Sequence, residues 1–129
     1  MKLLKLIPAA AIVLSAFTTF EAKAFKICLY NNAGFETKLR VANSYQDDPS
    51  VYKTTDSFSA GVTKCIKMGD IPIPQGSNYF VEYLMMPAND LFTICNYKSG
   101  GGSIYSSSDV GETKTYTVSG TTFNPSCKL

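Results

Sequence analysis

FETKLRV, residues 35–41, alternates without a break. Phe35, Thr37, Leu39 and Val41 fall on one side of an extended chain; Glu36, Lys38 and Arg40 fall on the other. Strand side chains point to opposite faces with a period of two, so the pattern predicts a strand with one face buried. The run before it, KICLY (26–30), is also rich in strand formers. Asn31-Asn32-Ala33-Gly34 joins the two and predicts a hairpin or tight connection.

The same signals recur toward the C-terminus. SYQDDPS (44–50) is a polar loop turning at Asp48-Pro49. SFSAGVTKCIKM (57–68) turns around Ala60-Gly61 and predicts a strand from Val62 to Met68. IPIPQGS (71–77) is extended, but Pro72 and Pro74 keep it from the centre of a sheet. NYFVEYL (78–84), LFTICNY (91–97) and KTYTV (114–118) read as further strands, with a flexible loop through SGGGS (99–103) and SSS (106–108). Six or seven short strands separated by turns predict an all-β chain, a single small antiparallel β-sandwich.

The N-terminus reads as a processing segment. MKLLK is basic, LIPAAAIVLSAF is apolar but shorter than the roughly 18 residues of a spanning helix, and Ala22-Lys23-Ala24 fits a small-x-small cleavage site. The expected division is a signal peptide over 1–24 and a β-sandwich domain over 25–129, secreted or periplasmic. Losing Lys2, Lys5, Lys23 and Glu21 from 12 basic and 10 acidic residues leaves nine of each. With no basic cluster, the composition argues against a nucleic-acid partner.

All four cysteines, Cys28, Cys65, Cys95 and Cys127, lie in the expected mature part. An even count in a small exported domain reads as two disulfides, and three connectivities are open. Cys28–Cys65 with Cys95–Cys127 is the pairing we expect, stapling strand edges. No C-x-x-C pair and no histidine is present, which weakens a metal site.

Without histidine there is no Ser-His-Asp triad and no Cys-His pair. No P-loop or dinucleotide fingerprint appears, and no cofactor is expected. Asp47-Asp48 with Asp56 or Asp70 has the chemistry of a calcium site, but Asp-Asp-Pro-Ser is more often a solvated turn. A hydrolase built on two facing carboxylates ranks last, because so small a chain leaves little room for a cleft. A non-enzymatic binding module is the expectation.

Three stretches carry a resemblance to a known family. NNAGFETKLRV (31–41), DIPIPQGSNYFVEYL (70–84) and SGTTFNPS (119–126) resemble, in order, the C-terminal membrane-binding β-sandwich of the cholesterol-dependent (thiol-activated) cytolysins. The last is the sharpest: Gly120, Thr121, Thr122 and Pro125 coincide with the family's terminal Trp-Gly-Thr-Thr-Leu-Tyr-Pro motif, and Phe123 stands where the family has Leu. The resemblance implies a stand-alone domain without the pore-forming part, whose tip loops meet a membrane lipid or sterol surface. The family's Thr-Leu pair falls on Thr122 and Phe123, with Met85, Met86, Gly34 and Phe35 as expected helpers nearby. The chain departs from the pattern as well. It has no tryptophan, and MMPANDLF (85–92) replaces the family's tryptophan-rich loop and its cysteine.

The tyrosines allow another class of function. Tyr45, Tyr52, Tyr79, Tyr83, Tyr97 and Tyr105 would suit a protein- or glycan-binding face, with the SGGGS loop, although tyrosine is also an ordinary strand former. The plain alternative for Met85, Met86, Leu91 and Phe92 is core packing at strand ends, and for Phe123 it is capping one end of the sandwich.

Overall fold

The computed structural model describes residues 24–44, 49–87 and 91–129. The expected leader through Lys23 lies outside the described residues, as do Tyr45, Asp47 and Asp48. Among the described residues nine strands form: β1 (Lys26–Ala33), β2 (Glu36–Ala42), β3 (Tyr52–Thr54), β4 (Thr63–Lys67), β5 (Asn78–Met86), β6 (Thr93–Ile94), β7 (Ser103–Ile104), β8 (Thr113–Thr121) and β9 (Asn124–Lys128). One sheet has the order β4-β1-β8-β9; the other runs β3-β2-β5-β6, with β7 also on β5.

The two sheets face each other across one core. Ile27, Leu29, Tyr116 and Val118 come from the first sheet, and Leu39, Val41, Tyr79, Val81 and Tyr83 from the second. Phe25, Phe58, Met68, Ile71 and Ile73 close it from the connections. The segment with two prolines stays out of both sheets, entering through a 3₁₀ turn at Met68–Asp70. Burial holds the phenols of Tyr79 and Tyr116 above their ordinary range.

The connection over 31–35 is not a hairpin. β1 and β2 belong to opposite sheets, so the chain crosses from one layer to the other there. β1 instead pairs in parallel with β8, from Lys26 opposite Thr113 to Ala33 opposite Gly120, while the other strand pairs among the described residues are antiparallel. LFTICNY contributes two residues of strand; Cys95 N still donates to Val81 O at 2.6 Å, and beyond it the edge is carried by a side chain. Asn96 Oδ1 accepts from Val81 N at 2.8 Å, and its Nδ2 donates to Tyr79 O and Ser103 Oγ, both at 3.0 Å. This buried amide bridges the gap between β6 and β7 along the edge of β5.

The disulfides are Cys28–Cys65 and Cys95–Cys127. Cys28 and Cys65 are directly opposed in the β1–β4 ladder. The second bridge joins the residue after β6 to β9 and so ties the two sheets together.

Arg40 departs from the solvent-facing role its alternation suggests. Its Nε and Nη2 donate to the Glu82 carboxylate at 2.9 and 3.1 Å, and both residues are buried. The Phe92 ring lies 4.1 Å from the guanidinium carbon. The pair occupies the side of β2 and β5 turned away from the core, so the second sheet is covered on both faces there.

Candidate functional site at the sandwich tip

Strand register brings the sequence-predicted residues to one end of the sandwich. Ala33 ends β1 opposite Gly120 of β8. β2 starts at Glu36, which pairs with Met86 at the end of β5. The 34–35 crossover, the 122–123 turn and the chain leaving Met86 therefore share an end.

The most prominent element is the β8–β9 hairpin. Thr121 pairs with Asn124, which leaves Thr122 and Phe123 as a two-residue loop. Gly120 has φ +91°, a region L side chains rarely adopt, and a Cβ there would collide with the carbonyl oxygen of Asn124. Thr121 Oγ1 accepts from Phe123 N at 3.3 Å. The turn thus has a defined shape, and it holds the Phe123 side chain 97% exposed. Thr122 is exposed beside it.

The neighbouring crossover is laced to this hairpin: Gly34 N donates to Gly120 O at 2.9 Å. A residue that sequence reasoning misses secures its base. Asn31 is fully buried; its Nδ2 donates to Phe35 O at 2.9 Å and to Phe58 O at 3.1 Å, while its Oδ1 accepts from Ala33 N at 2.9 Å. The signal available for it is its place just ahead of a tight turn, where an Asn side chain bonds nearby backbone.

The helpers divide. Gly34 is exposed at the tip. Phe35 is buried, its ring stacked on Tyr83 with centroids 6.4 Å apart, so it anchors the crossover from inside. Met85 and Met86 are half-buried, with Met85 packed on the core. Pro87 and Leu91 are exposed, but Phe92 folds back over Arg40 and does not join the tip. Glu36 is the charged side chain of the 34–36 and 120–125 segments.

The described tyrosines of the alternative face do not come together. Tyr79 and Tyr83 are core residues, and Tyr105 packs on Phe25 with centroids 5.6 Å apart. Tyr52 and Tyr97 are exposed. Burial pushes the Tyr83 phenol above its ordinary range, partly offset by the Thr93 hydroxyl. Among the described residues no group of three Cys, Asp or Glu is placed to hold a metal ion.

No family model matches this chain, and no curated protein matches it. Among solved structures it is similar to a Gram-negative toxin at 14% identity and a TM-score of 0.45, covering 81% of this chain and 22% of that one. It is similar to pneumolysin at 14% identity and a TM-score of 0.45, covering 80% of this chain and 22% of that one. The chain thus spans about a fifth of these full-length toxins. The membrane-binding domain of pneumolysin is similar over 92% of its own length and 80% of this chain, at 14% identity and a TM-score of 0.42.

Proposed function

We propose that this chain is a secreted, non-catalytic module that docks on a membrane lipid surface through its tip, with Phe123 inserting into the apolar layer and Thr122 bonding a lipid polar group. The observation that carries this is Phe123. A large apolar side chain 97% in water, on a turn with its own required glycine, is not serving the core. Moving such a side chain out of water is worth about 1.5–3 kcal/mol. The Gly-Thr-Thr stretch that resembles the cytolysin motif supports the same end of the molecule. Gly34, Met85 and Met86 would border the inserting loop, while Phe35 would hold its base. Sterol recognition is the finer form of the proposal, with Thr122 facing the sterol hydroxyl.

Co-sedimentation of the exported, oxidised protein with phosphatidylcholine vesicles, with and without cholesterol, tests it. Binding should be lost in Phe123→Asp, while the thermal midpoint stays unchanged because the side chain packs on nothing. Sterol-dependent binding supports the finer form. Binding that survives Phe123→Asp, or none to either vesicle, overturns the proposal.

A further inference from the structure

Charge is segregated between the two sheets. The strands of the first sheet carry Lys26, Lys64, Lys67, Lys114 and Lys128 and no acidic residue. In the second sheet Glu36 and Glu82 stand among the basic residues. All four strands of the first sheet lie within the described residues, and 45–48 and 88–90 fall between strands of the second. Ile27, Ile66, Tyr116 and Val118 belong to the core, so alternation turns Lys26, Lys67, Thr115 and Lys128 outward. All four are exposed.

Register places them on one line. Lys67 is directly opposite Lys26. Two residues along β1, Cys28 is opposite Thr115 of β8. Two residues along β8, Thr117 is opposite Lys128 of β9. With strands about 4.8 Å apart and about 3.3 Å per residue, the line crosses the sheet diagonally over roughly 20 Å. Like charges directly opposite in a ladder are destabilising, yet neither Lys26 nor Lys67 forms an ion pair among the described residues. Of the acids nearest in sequence, Asp109 is held by Lys114, Asp70 is held by Lys53, and Glu112 precedes β8.

The surroundings select the class of anion. The chain's one arginine is in the second sheet, so this face has no fork for phosphate. Its aromatic is the half-buried Tyr30, which gives no platform for stacked bases. An acidic protein would need an apolar centre to anchor on, and the exposed residues here are lysines, threonines and serines. Lys26 lies seven residues from Ala33, about 23 Å from the tip, so a bilayer entered by Phe123 does not reach it. Hydroxyls between spaced cations suit a sugar chain that carries acidic groups. We propose that the outer face of the first sheet binds an acidic polysaccharide, its sulfates or carboxylates on Lys26, Lys67 and Lys128 and its hydroxyls on Thr115 and Thr117.

Heparin and polygalacturonate serve as sulfated and carboxylated probes, with dextran as the neutral chain and duplex DNA as the phosphate polyanion. Binding to the full exported protein is read by titration calorimetry at low salt. At least one acidic polysaccharide should bind, and the Lys26→Gln/Lys67→Gln double variant should weaken it about tenfold or more, since charge-assisted hydrogen bonds are lost. Lys98→Gln, an exposed charge in a loop of the other sheet, should change it less than twofold. Lys67→Glu should abolish binding without lowering the thermal midpoint, because it pairs with Lys26. Phe123→Asp should leave binding unchanged, which separates this face from the tip. No binding to either acidic polysaccharide, equal binding in the double variant, dextran or DNA binding as tight, or loss in Phe123→Asp would each overturn the proposal.

Discussion

Removing one partner of the Arg40–Glu82 pair should be far more damaging than removing both. In Arg40→Met, the Glu82 carboxylate keeps only 1% of its exposure to water and loses two hydrogen bonds at 2.9 and 3.1 Å. Breaking a buried pair this way costs about 3–5 kcal/mol, because a buried charge loses its paired partner. Glu82→Leu should cost a similar amount by removing the carboxylate to which the buried guanidinium donates twice. In the double variant Arg40→Met/Glu82→Leu both charges are gone, and two flexible apolar side chains sit beside Leu84 and Phe92. Such replacements are often neutral or stabilising, so the double variant should lie within about 1 kcal/mol of the parent. The coupling energy is then several kcal/mol, well above the ~0.5 kcal/mol scatter of independent sites. For a domain of this size, each kcal/mol moves the melting midpoint by about 4–8 °C, so a single variant should melt roughly 12 °C or more lower. The assay is urea denaturation with the disulfides intact, read by tyrosine fluorescence, since the chain has no tryptophan. Two single losses under about 1 kcal/mol, or a double loss equal to their sum, would refute the reasoning.

Gly120→Ala should destabilise by more than the ~1 kcal/mol of an ordinary positive-φ replacement, because its Cβ also meets the Asn124 carbonyl oxygen; thermal melts and vesicle binding should fall together. Replacing Cys95 and Cys127 by alanine opens a link of sequence separation 32 and should cost about 3–4 kcal/mol in chemical denaturation. Burial raises the Tyr79 and Tyr116 pKa values above the ordinary 10.0, so the folded state prefers the neutral phenols. Their contribution is complete below that pH and is lost as pH rises through 10.0 toward the folded-state values. An alkaline titration should therefore show the tyrosinate absorbance of Tyr79 and Tyr116 appearing only together with loss of far-ultraviolet circular dichroism, and full ionisation of every tyrosine in an intact fold would contradict it.

Much of the sandwich is legible in local patterns, and the misreadings have physical causes. Alternation in 35–41 correctly gives Thr37, Leu39 and Val41 to the core, because a strand's period is a local property. It does not say whether the other face meets water, and Arg40 is buried there by segments distant in sequence. The turn signal at 31–34 is real, but a tight connection between strands fits a hairpin and a crossover between sheets equally well. Only tertiary pairing separates them, and β1 finds β8. The end of the chain reads as a turn in sequence, yet Asn124–Lys128 forms β9, since Pro125 leaves little trace of strand periodicity. At the tip, Thr122 and Phe123 stand out in sequence because an apolar residue in a polar turn has no evident core role. Asn31 does not, because its value lies in three backbone partners that only folding assembles.

The parallel pairing of β1 with β8 also sets a clock. A chain made from its N-terminus offers Lys26 long before Thr113, its partner in the ladder. Until then β1 can hold only β4 at one edge, through register pairs such as Ile27 with Ile66. Its other edge stays open, and an open strand edge is a template for association. Contacts this distant in sequence slow folding, because loop closure must come before they form. The same strand that ends at the tip is therefore the last to be sheltered, and the nascent protein should be most prone to aggregate between the arrival of β4 and that of β8.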